Sequence, residues 1–165
     1  MPAANGWRWN MQSLPLSDAV PYERLCLVVA SYLRLTGKEL IPAAPQDAVA
    51  FRLALWESPR AIVAHGTEDD PVFFYGNRRA LRLFEMDFDE FACLPSRLSA
   101  EPLAREARIN MLDKVTRQGY VDGYSGTRIT KSGRRFGIAD ATVWSLLDEH
   151  GVYHGQAAVF VEQAV

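Results

Sequence analysis

Cysteine is scarce in this chain of 165 residues, which has only two. Cys26 and Cys93 show no paired spacing, so the sequence carries neither a disulfide framework nor a zinc motif. We therefore predict two reduced, buried thiols in a cytoplasmic protein. The N-terminus also lacks a basic segment followed by an apolar core, so no signal peptide is predicted.

Long hydrophobic runs and an excess of basic charge are missing as well. No run approaches the roughly 20 apolar residues that cross a bilayer, so we expect no membrane association. The formal net charge of -2 argues against direct binding of nucleic acid through a basic surface. With 48% hydrophobic and 23% charged residues, the composition is typical of one globular domain.

Metal-binding and catalytic patterns are not recognisable either. The acidic segment from Glu85 to Glu90 lacks the glycine and the terminal glutamate of a calcium loop. Asp69 and Asp70 lie near His65, but no nucleophile, base and orienting group stand at a legible spacing. We therefore predict no catalytic residue and no metal site, and we keep a small enzyme that uses an internal pocket as an alternative.

The segment 61–84, AIVAHGTEDDPVFFYGNRRALRLF, is the most informative stretch that is present. Two short apolar segments, Ala61 to His65 and Val72 to Tyr75, flank the polar turn GTEDDP, which is typical of a β-hairpin. Asn77 follows the second segment, and its side chain can cap the N-terminus of a helix. The segment therefore predicts a strand, a turn, a second strand and a helix.

Amphipathic helices are predicted on both sides of this segment. Two precede it, over residues 17–40 with Gly37 as terminator and over residues 46–57. A longer helix over residues 102–118 has an apolar side chain at every fourth position, which predicts a buried stripe of Leu103, Ala107, Met111 and Val115. The two N-terminal helices are apolar enough that we expect them to bury against the sheet.

After residue 119 the apolar period becomes alternating. This change predicts three strands over residues 120–130, 135–147 and 152–163, joined by glycine-containing hairpin turns. The order of elements indicates an α+β fold, with a five-stranded antiparallel sheet, central helices on one face, and N-terminal helices before the core.

Several blocks of the sequence strongly resemble the MEKHLA family: AHGTEDDP, YGNRRALRLFE, LPSRLSAEP, QGYVDGYSGTR, GRRF and VWSLLDEHGVYHGQAA. In that family the same blocks form a PAS-like domain, found alone in bacteria and at the C-terminus of plant class III homeodomain–leucine zipper regulators. The resemblance covers about residues 22–163. It implies a stand-alone bacterial member, with a tail (1–16) and a single domain (17–165) made of a helical extension (17–58) and a PAS core (60–163).

The resemblance implies a sensory or protein-interaction module. A PAS pocket can hold flavin, haem, a small metabolite or only packed side chains, and the plant members are thought to regulate dimerisation. We expect a module that binds a small ligand or a regulatory partner and forms a homodimer through its N-terminal helices, with Trp7 and Trp9 at the dimer surface. A fully packed interaction domain without a ligand is the alternative.

Cofactor identity stays open, but two cofactors fit the residues poorly. Photoactive flavin-binding PAS domains use a cysteine within an asparagine-cysteine-arginine-phenylalanine block. The corresponding stretch here is ACLPSRLS, with Cys93 displaced and Ser96 nearer the expected position. Haem-binding versions most often use a histidine on the long helix, and residues 102–118 contain none.

Alternation along the last three strands nominates four ligand contacts. Tyr124 and Arg128 share a face of the first strand, Trp144 shares a face of the second with Ile138, and Gln156 lies on the third. We predict Tyr124, Arg128, Trp144 and Gln156 as the polar and aromatic groups of a mainly apolar pocket. Which face of the sheet lines that pocket is left open.

Arg128 has a second predicted role. Together with Arg134 and Arg135 it is expected to pair with Asp69 and Asp70 across strand ends, as a structural salt bridge. The alternative is an anion-binding cluster.

Overall fold

The structure, a computed structural model, describes residues 20–42 and 47–163. In chain order its elements are α1 (Tyr22–Thr36), α2 (Ala48–Trp56), β1 (Ala61–His65), β2 (Phe73–Gly76), α3 (Arg78–Phe84), α4 (Phe88–Phe91), a 3₁₀ helix (Ser96–Ser99), α5 (Pro102–Gln118), β3 (Tyr120–Ile129), β4 (Arg135–Leu147) and β5 (Tyr153–Gln163). The strands form one antiparallel sheet in the order β2-β1-β5-β4-β3. The predicted α+β fold with five antiparallel strands is confirmed.

The N-terminal helices cover one face of this sheet, as predicted. On that face α1 docks on β4 through Ser31, whose hydroxyl donates to the carbonyl of Leu147 at 2.9 Å and accepts from its N–H at 3.1 Å. The buried Trp144 indole donates to the carbonyl of Val28 at 3.2 Å and meets the Tyr32 ring edge-on, with 4.8 Å between ring centroids. These bonds satisfy the polar atoms that burial of α1 would otherwise leave unpaired.

The central helices pack on the opposite face of the sheet. Phe84 of α3 and Phe91 of α4 belong to a core cluster with Phe136 and Phe160 of the sheet. Val115 of α5 packs in a smaller cluster on the same side. The sheet is therefore covered on both faces, which leaves its central strands almost fully buried.

Asn77 joins three parts of this fold through one fully buried side chain. Its amide donates to the carbonyl of Leu55, in the last turn of α2, at 3.1 Å and to the carbonyl of Arg60, just before β1, at 2.9 Å. Its oxygen accepts from the N–H of Ile62 at 3.0 Å and of Ala80 at 3.1 Å, so it caps α3 as predicted. Both donors and both acceptor positions of the amide are in use.

A β-bulge on β4 changes which side chains face the central helices. Asp140 and Ala141 together stand opposite one residue of β5, and Asp140 has a φ of 50°. Because of this extra residue, Ile138 and Val143 both pack toward the central helices, whereas Trp144 packs toward α1. The predicted alternation, which placed Ile138 and Trp144 on one face, is wrong because it assumed an unbroken period of two.

A second irregularity has the same effect on β3. Asp122 and Gly123 stand opposite one residue of β4, with Gly123 at a φ of 64°. Tyr120 consequently packs against the core beneath α1, whereas Tyr124 packs against the core beneath the central helices. The prediction that Tyr120 and Tyr124 share a face is therefore also wrong.

The buried stripe of α5 differs from the predicted one. Met111 and Val115 are buried as expected, but Ala107 is exposed and Arg108 takes the inward position beside it. The side chain of Leu103 lies outside the described residues. In the first turns of α5 the buried stripe is therefore shifted by one residue toward the C-terminus, relative to the stripe predicted from the apolar residues. This shift brings a guanidinium into the interior.

The predicted boundaries agree best near glycines. Gly37 ends α1 with a φ of 74°, as expected. Trp7, Trp9 and the predicted start of the first helix at residue 17 lie outside the described part of the chain, and the division into tail, extension and core stays a prediction. Within residues 20–42 and 47–163, no helix is both long and apolar enough to cross a membrane.

We expect Asn77→Ala to lower the free energy of unfolding by roughly 3 kcal/mol, well beyond the roughly 1 kcal/mol of an ordinary cap, because buried backbone groups lose their partners. Urea denaturation measures this difference. The control is Asn110→Ala on the exposed surface of α5, which should stay within about 0.5 kcal/mol of the wild type. Equal stability of the two variants would contradict the role assigned to Asn77.

Candidate functional site

A cavity lies between the sheet and the central helices, on the face opposite α1. Its volume is about 50 Å³, and the residues that line it come from β1 to β5, α3, the 3₁₀ helix and α5. A water molecule needs roughly 10–15 Å³ on this measure, so the space holds a few waters or a ligand of a few non-hydrogen atoms. Most of the lining is apolar, and it includes Val63, Met111, Ile138 and Val143.

Two arginines, one from a helix and one from a strand, are the charged groups of this cavity. Arg108 of α5 and Arg128 of β3 both line it and are only 8% and 7% exposed. Among the described residues, neither guanidinium forms an ion pair with an aspartate or glutamate. Buried charges in proteins are normally paired, so this arrangement is unusual.

The two guanidiniums have different surroundings. Arg128 donates to the carbonyl of Thr127 at 2.9 Å and lies over the ring of Tyr124, with 5.8 Å between its carbon and the ring centroid. Arg108 donates no hydrogen bond to any described residue. Burial, with the positive charge of Arg128 nearby, lowers the pKa of Arg108 to about 10, so it remains charged at neutral pH.

His65 adds a polar atom to the same cavity at the end of β1. The side chain is 7% exposed, and its Nδ1 lies 3.0 Å from the carbonyl oxygen of Gly66. Its Nε2 is buried and has no hydrogen-bond partner among the described residues. Burial lowers the pKa of this imidazole, and the charge of Arg108 adds to that shift. The bond to Gly66, the neighbouring side chain of Gln156 and the charge of Glu68 oppose it in part.

Of the four predicted ligand contacts, the structure brings Arg128 and Gln156 into the cavity lining. The Gln156 amide donates to the carbonyl of Leu112 at 3.4 Å and to the Thr116 hydroxyl at 3.3 Å, which ties β5 to α5. Tyr124 lies beside the cavity, beneath the Arg128 guanidinium, and supports it. Trp144 lies on the other face of the sheet in the core beneath α1.

The predicted pairing of Arg128 with Asp69 or Asp70 is not found. Asp70 pairs instead with Arg97, whose Nε is 3.1 Å from the carboxylate. Arg134 pairs with Glu85 and Arg135 with Glu101. The sequence placed these charges near strand ends but could not show which neighbours each would meet, and Arg128 turns inward because β3 keeps its alternation from Tyr124 onwards.

The sequence also matches a known domain family. The sequence profile of the MEKHLA domain matches residues 22–165. This chain belongs to the MEKHLA family.

The curated relatives are much longer plant proteins. Homeobox-leucine zipper protein HOX10 of Oryza sativa subsp. japonica is 30% identical over 135 residues, which cover 81% of this chain and 16% of that protein. Homeobox-leucine zipper protein ATHB-14 of Arabidopsis thaliana is 28% identical over 153 residues, covering 89% and 18% respectively. This MEKHLA chain thus spans less than a fifth of the length of the relatives that it matches.

Solved structures show that the fold is PAS-like, as the resemblance implied. The PAS domain of a protein from Colwellia psychrerythraea matches with a TM-score of 0.60 at 16% identity, over 72% of this chain and 98% of that one. A light-oxygen-voltage domain, studied with a flavin analogue, matches with a TM-score of 0.58 at 17% identity, over 70% and 85%. At these identities the likeness concerns the fold alone.

Other residues considered for chemistry lie away from the cavity. Cys93 is exposed, so the prediction of a buried thiol is wrong for it, while Cys26 is half-buried; both are free. His154 pairs with Asp148 at 2.9 Å at the exposed β4–β5 turn. In the described part of this MEKHLA domain, no three His, Cys, Asp or Glu side chains cluster as metal ligands would.

Sequence reasoning missed Arg108 and the orphaned atom of His65. A signal for Arg108 existed, because Ala104, Arg108, Met111 and Val115 follow helical spacing and place an arginine within an apolar stripe. The residues next to His65 in sequence do not indicate that its side chain is buried beside the cavity. Its position depends on Gly155 of β5, where an added Cβ would lie 2.0 Å from the His65 carbonyl oxygen, so the two strands meet closely only because that residue is glycine.

We expect the stability of this domain to fall as pH drops from about 7 toward 5, partly because of His65. The unfolded chain takes up a proton near the ordinary histidine pKa of 6.5, whereas the folded chain takes it up only at lower pH. The unfolded state therefore binds more protons in this window, and acid favours it. Denaturation at several pH values should show a shallower slope for His65→Gln than for the wild type.

The control for this measurement is His150→Gln, because His150 is an exposed imidazole in the β4–β5 turn. Its slope should match that of the wild type. If His65→Gln also keeps the wild-type slope, His65 is protonated equally in both states and the described burial does not govern it.

Proposed function

We propose that this MEKHLA domain is a sensory module that binds a small ligand in the cavity between its sheet and its central helices. The observation that carries the proposal is the pair of buried guanidiniums on the cavity wall, neither of which has a carboxylate partner among the described residues. Arg128 and Gln156 are proposed as direct contacts, and Tyr124 as the support of Arg128. Trp144 is not among the proposed contacts, because it lies on the other face of the sheet.

The alternative of a fully packed interaction domain agrees less well with the interior. A packed core leaves few voids larger than a water molecule and pairs its polar groups. Here the cavity of about 50 Å³ adjoins two cations and an imidazole nitrogen that has no hydrogen-bond partner within residues 20–42 and 47–163. Such groups stabilise a fold only when something else completes their hydrogen bonds.

Strand β4 offers a direct route by which ligand occupancy could reach the rest of the molecule. Val143 lines the cavity, and its neighbour Trp144 packs against α1 on the other face. A small displacement of this strand on ligand binding would therefore move the contact between Trp144 and α1. We propose that α1 carries the signal to a regulatory partner or to a second copy of the chain.

Filling the cavity tests whether it binds a ligand. Ala158 lines the cavity from the middle of β5, and Ala158→Leu adds three carbon atoms to a space that holds only a few. We expect native mass spectrometry of gently purified protein to show a co-purifying small molecule in the wild type and none in Ala158→Leu. Thermal-shift measurements with a set of small metabolites should show stabilisation of the wild type and none of Ala158→Leu.

The matched control is Ala107→Leu, which places the same side chain on the exposed surface of α5. It should retain the ligand. The proposal fails if nothing co-purifies and no compound stabilises the wild type, or if Ala158→Leu binds as the wild type does.

Dimerisation through the N-terminal helices is a second, separate proposal. Val49 and Leu53, one helical turn apart on α2, are 63% and 43% exposed although both are apolar. Apolar side chains that recur on one helix face are typical of a surface that packs against another helix. We propose that this face of α2 lies in the interface of a homodimer.

The charge-introducing double variant Val49→Lys/Leu53→Lys tests the interface. We expect sedimentation velocity to show a dimer for the wild type and a monomer for the double variant, because two buried lysines would lack partners. Ile109→Lys is the control, since Ile109 is a comparably exposed apolar residue on α5 at 55%. A monomeric wild type, or a double variant that remains dimeric, would exclude this interface.

A further inference from the structure

The wall of the cavity is chemically divided. One part consists of apolar side chains, among them Val63, Phe84 and Ile138. The other part carries the guanidiniums of Arg108 and Arg128, which come from different elements and face one space. A ligand that fits both parts must have a short apolar portion and a group that satisfies cations.

No carboxylate among the described residues compensates the charges of these guanidiniums. The ionisable groups that influence Arg108 are Arg128, which repels it, and the Tyr124 phenol. The basic residues that follow Arg128 in sequence have carboxylate partners: Lys131 pairs with Glu90, Arg134 with Glu85 and Arg135 with Glu101. None of these carboxylates pairs with Arg128. Two like charges buried against one cavity oppose folding unless an anion lies between them.

His65 is the third polar group of the cavity wall, and the hydrogen bond of one ring nitrogen decides whether the other donates or accepts. Its Nδ1 lies at hydrogen-bond distance from the Gly66 carbonyl, which fixes the proton on Nδ1 because a carbonyl can only accept. The free Nε2 is then an acceptor. It can receive a hydrogen bond from a hydroxyl of the ligand or from a bound water, and it does not compete with the arginines for the anion.

We propose that the cavity binds a short-chain carboxylate, with its carboxylate group between the guanidiniums of Arg108 and Arg128 and its apolar end toward Ile138. This inference rests on the proposed ligand-binding function and names the chemical class of the ligand. Guanidinium groups bind carboxylates through paired, charge-assisted hydrogen bonds. The cavity of about 50 Å³ restricts the ligand to a few non-hydrogen atoms.

A carboxylate suits this site better than an inorganic oxyanion. Phosphate and sulfate carry acceptor oxygens on all sides, whereas much of this wall is apolar and would leave some of those oxygens without donors. A carboxylate on a two- or three-carbon chain presents its oxygens on one side only. A ligand this small binds no tighter than roughly micromolar, so it exchanges readily, as a sensor of metabolite concentration requires.

Titration of the ¹⁵N-labelled protein by NMR tests the proposal, with propionate, propionamide and inorganic phosphate as probes at constant ionic strength. We expect propionate to shift the amide signals of cavity residues in a saturable way. Propionamide has nearly the same shape and no charge, so it should bind at least about tenfold more weakly, because charge-assisted bonds are lost.

Two substitutions separate ligand binding from a structural role. Arg108→Met and Arg128→Met each keep a long side chain and remove the charge, and each should weaken propionate binding about tenfold or more. The melting temperature of the ligand-free variants should stay equal to that of the wild type or rise, because an uncompensated buried charge is gone. Arg117→Met, on the exposed surface of α5, is the control and should leave propionate binding unchanged.

Each outcome decides a different statement. Saturable binding of propionate that is lost in both arginine variants supports the proposal. Equal binding of propionamide, or a preference for phosphate, overturns the carboxylate assignment while ligand binding in the cavity stands. If no probe shifts the cavity signals, the carboxylate inference is wrong. A loss of thermal stability in both arginine variants would then show that the guanidiniums serve the fold.

Discussion

One extra residue in β4 decides what the two faces of this sheet carry. The bulge at Asp140 lets a single strand place Ile138 and Val143 beneath the central helices and Trp144 beneath α1. With an unbroken alternation, the large indole would fill the space that is now a cavity. The bulge therefore leaves the cavity open and, in the same strand, creates the contact between Trp144 and the N-terminal helix.

The second constraint is electrostatic. A protein interior tolerates guanidinium groups when carboxylates or other acceptors surround them, and Arg108 and Arg128 have few such partners in the described part of the chain. Elsewhere in the fold, the buried Asn77 side chain uses all four of its hydrogen-bonding positions. The contrast between the fully paired amide of Asn77 and two guanidiniums without a carboxylate partner in the described part of the chain is the reason that we propose ligand binding in the cavity.

Local chemistry made much of this fold predictable. The cap at Asn77, the end of α1 at Gly37 and the hairpins of the last three strands all depend on residues adjacent in sequence. The site was less predictable because it depends on which residues of a strand share a face and on which residues of α5 point inward. The bulge on β4 reversed the alternation that nominated Trp144, and a one-position shift of the α5 stripe brought Arg108 inward. Arg128 was found because β3 alternates from Tyr124 onwards. Gln156 was found although β5 is irregular just before it, where His154 and Gly155 together stand opposite Leu146.

A crystal structure of the purified protein is the most direct test of the central claim, because it shows whether an anion completes the cavity. The account predicts electron density for a small molecule with two oxygens about 2.7–2.9 Å from the guanidinium nitrogens of Arg108 and Arg128, and with its remaining atoms against the apolar wall. A protein carboxylate paired with either guanidinium, or a cavity filled by the chain's own side chains, would contradict it.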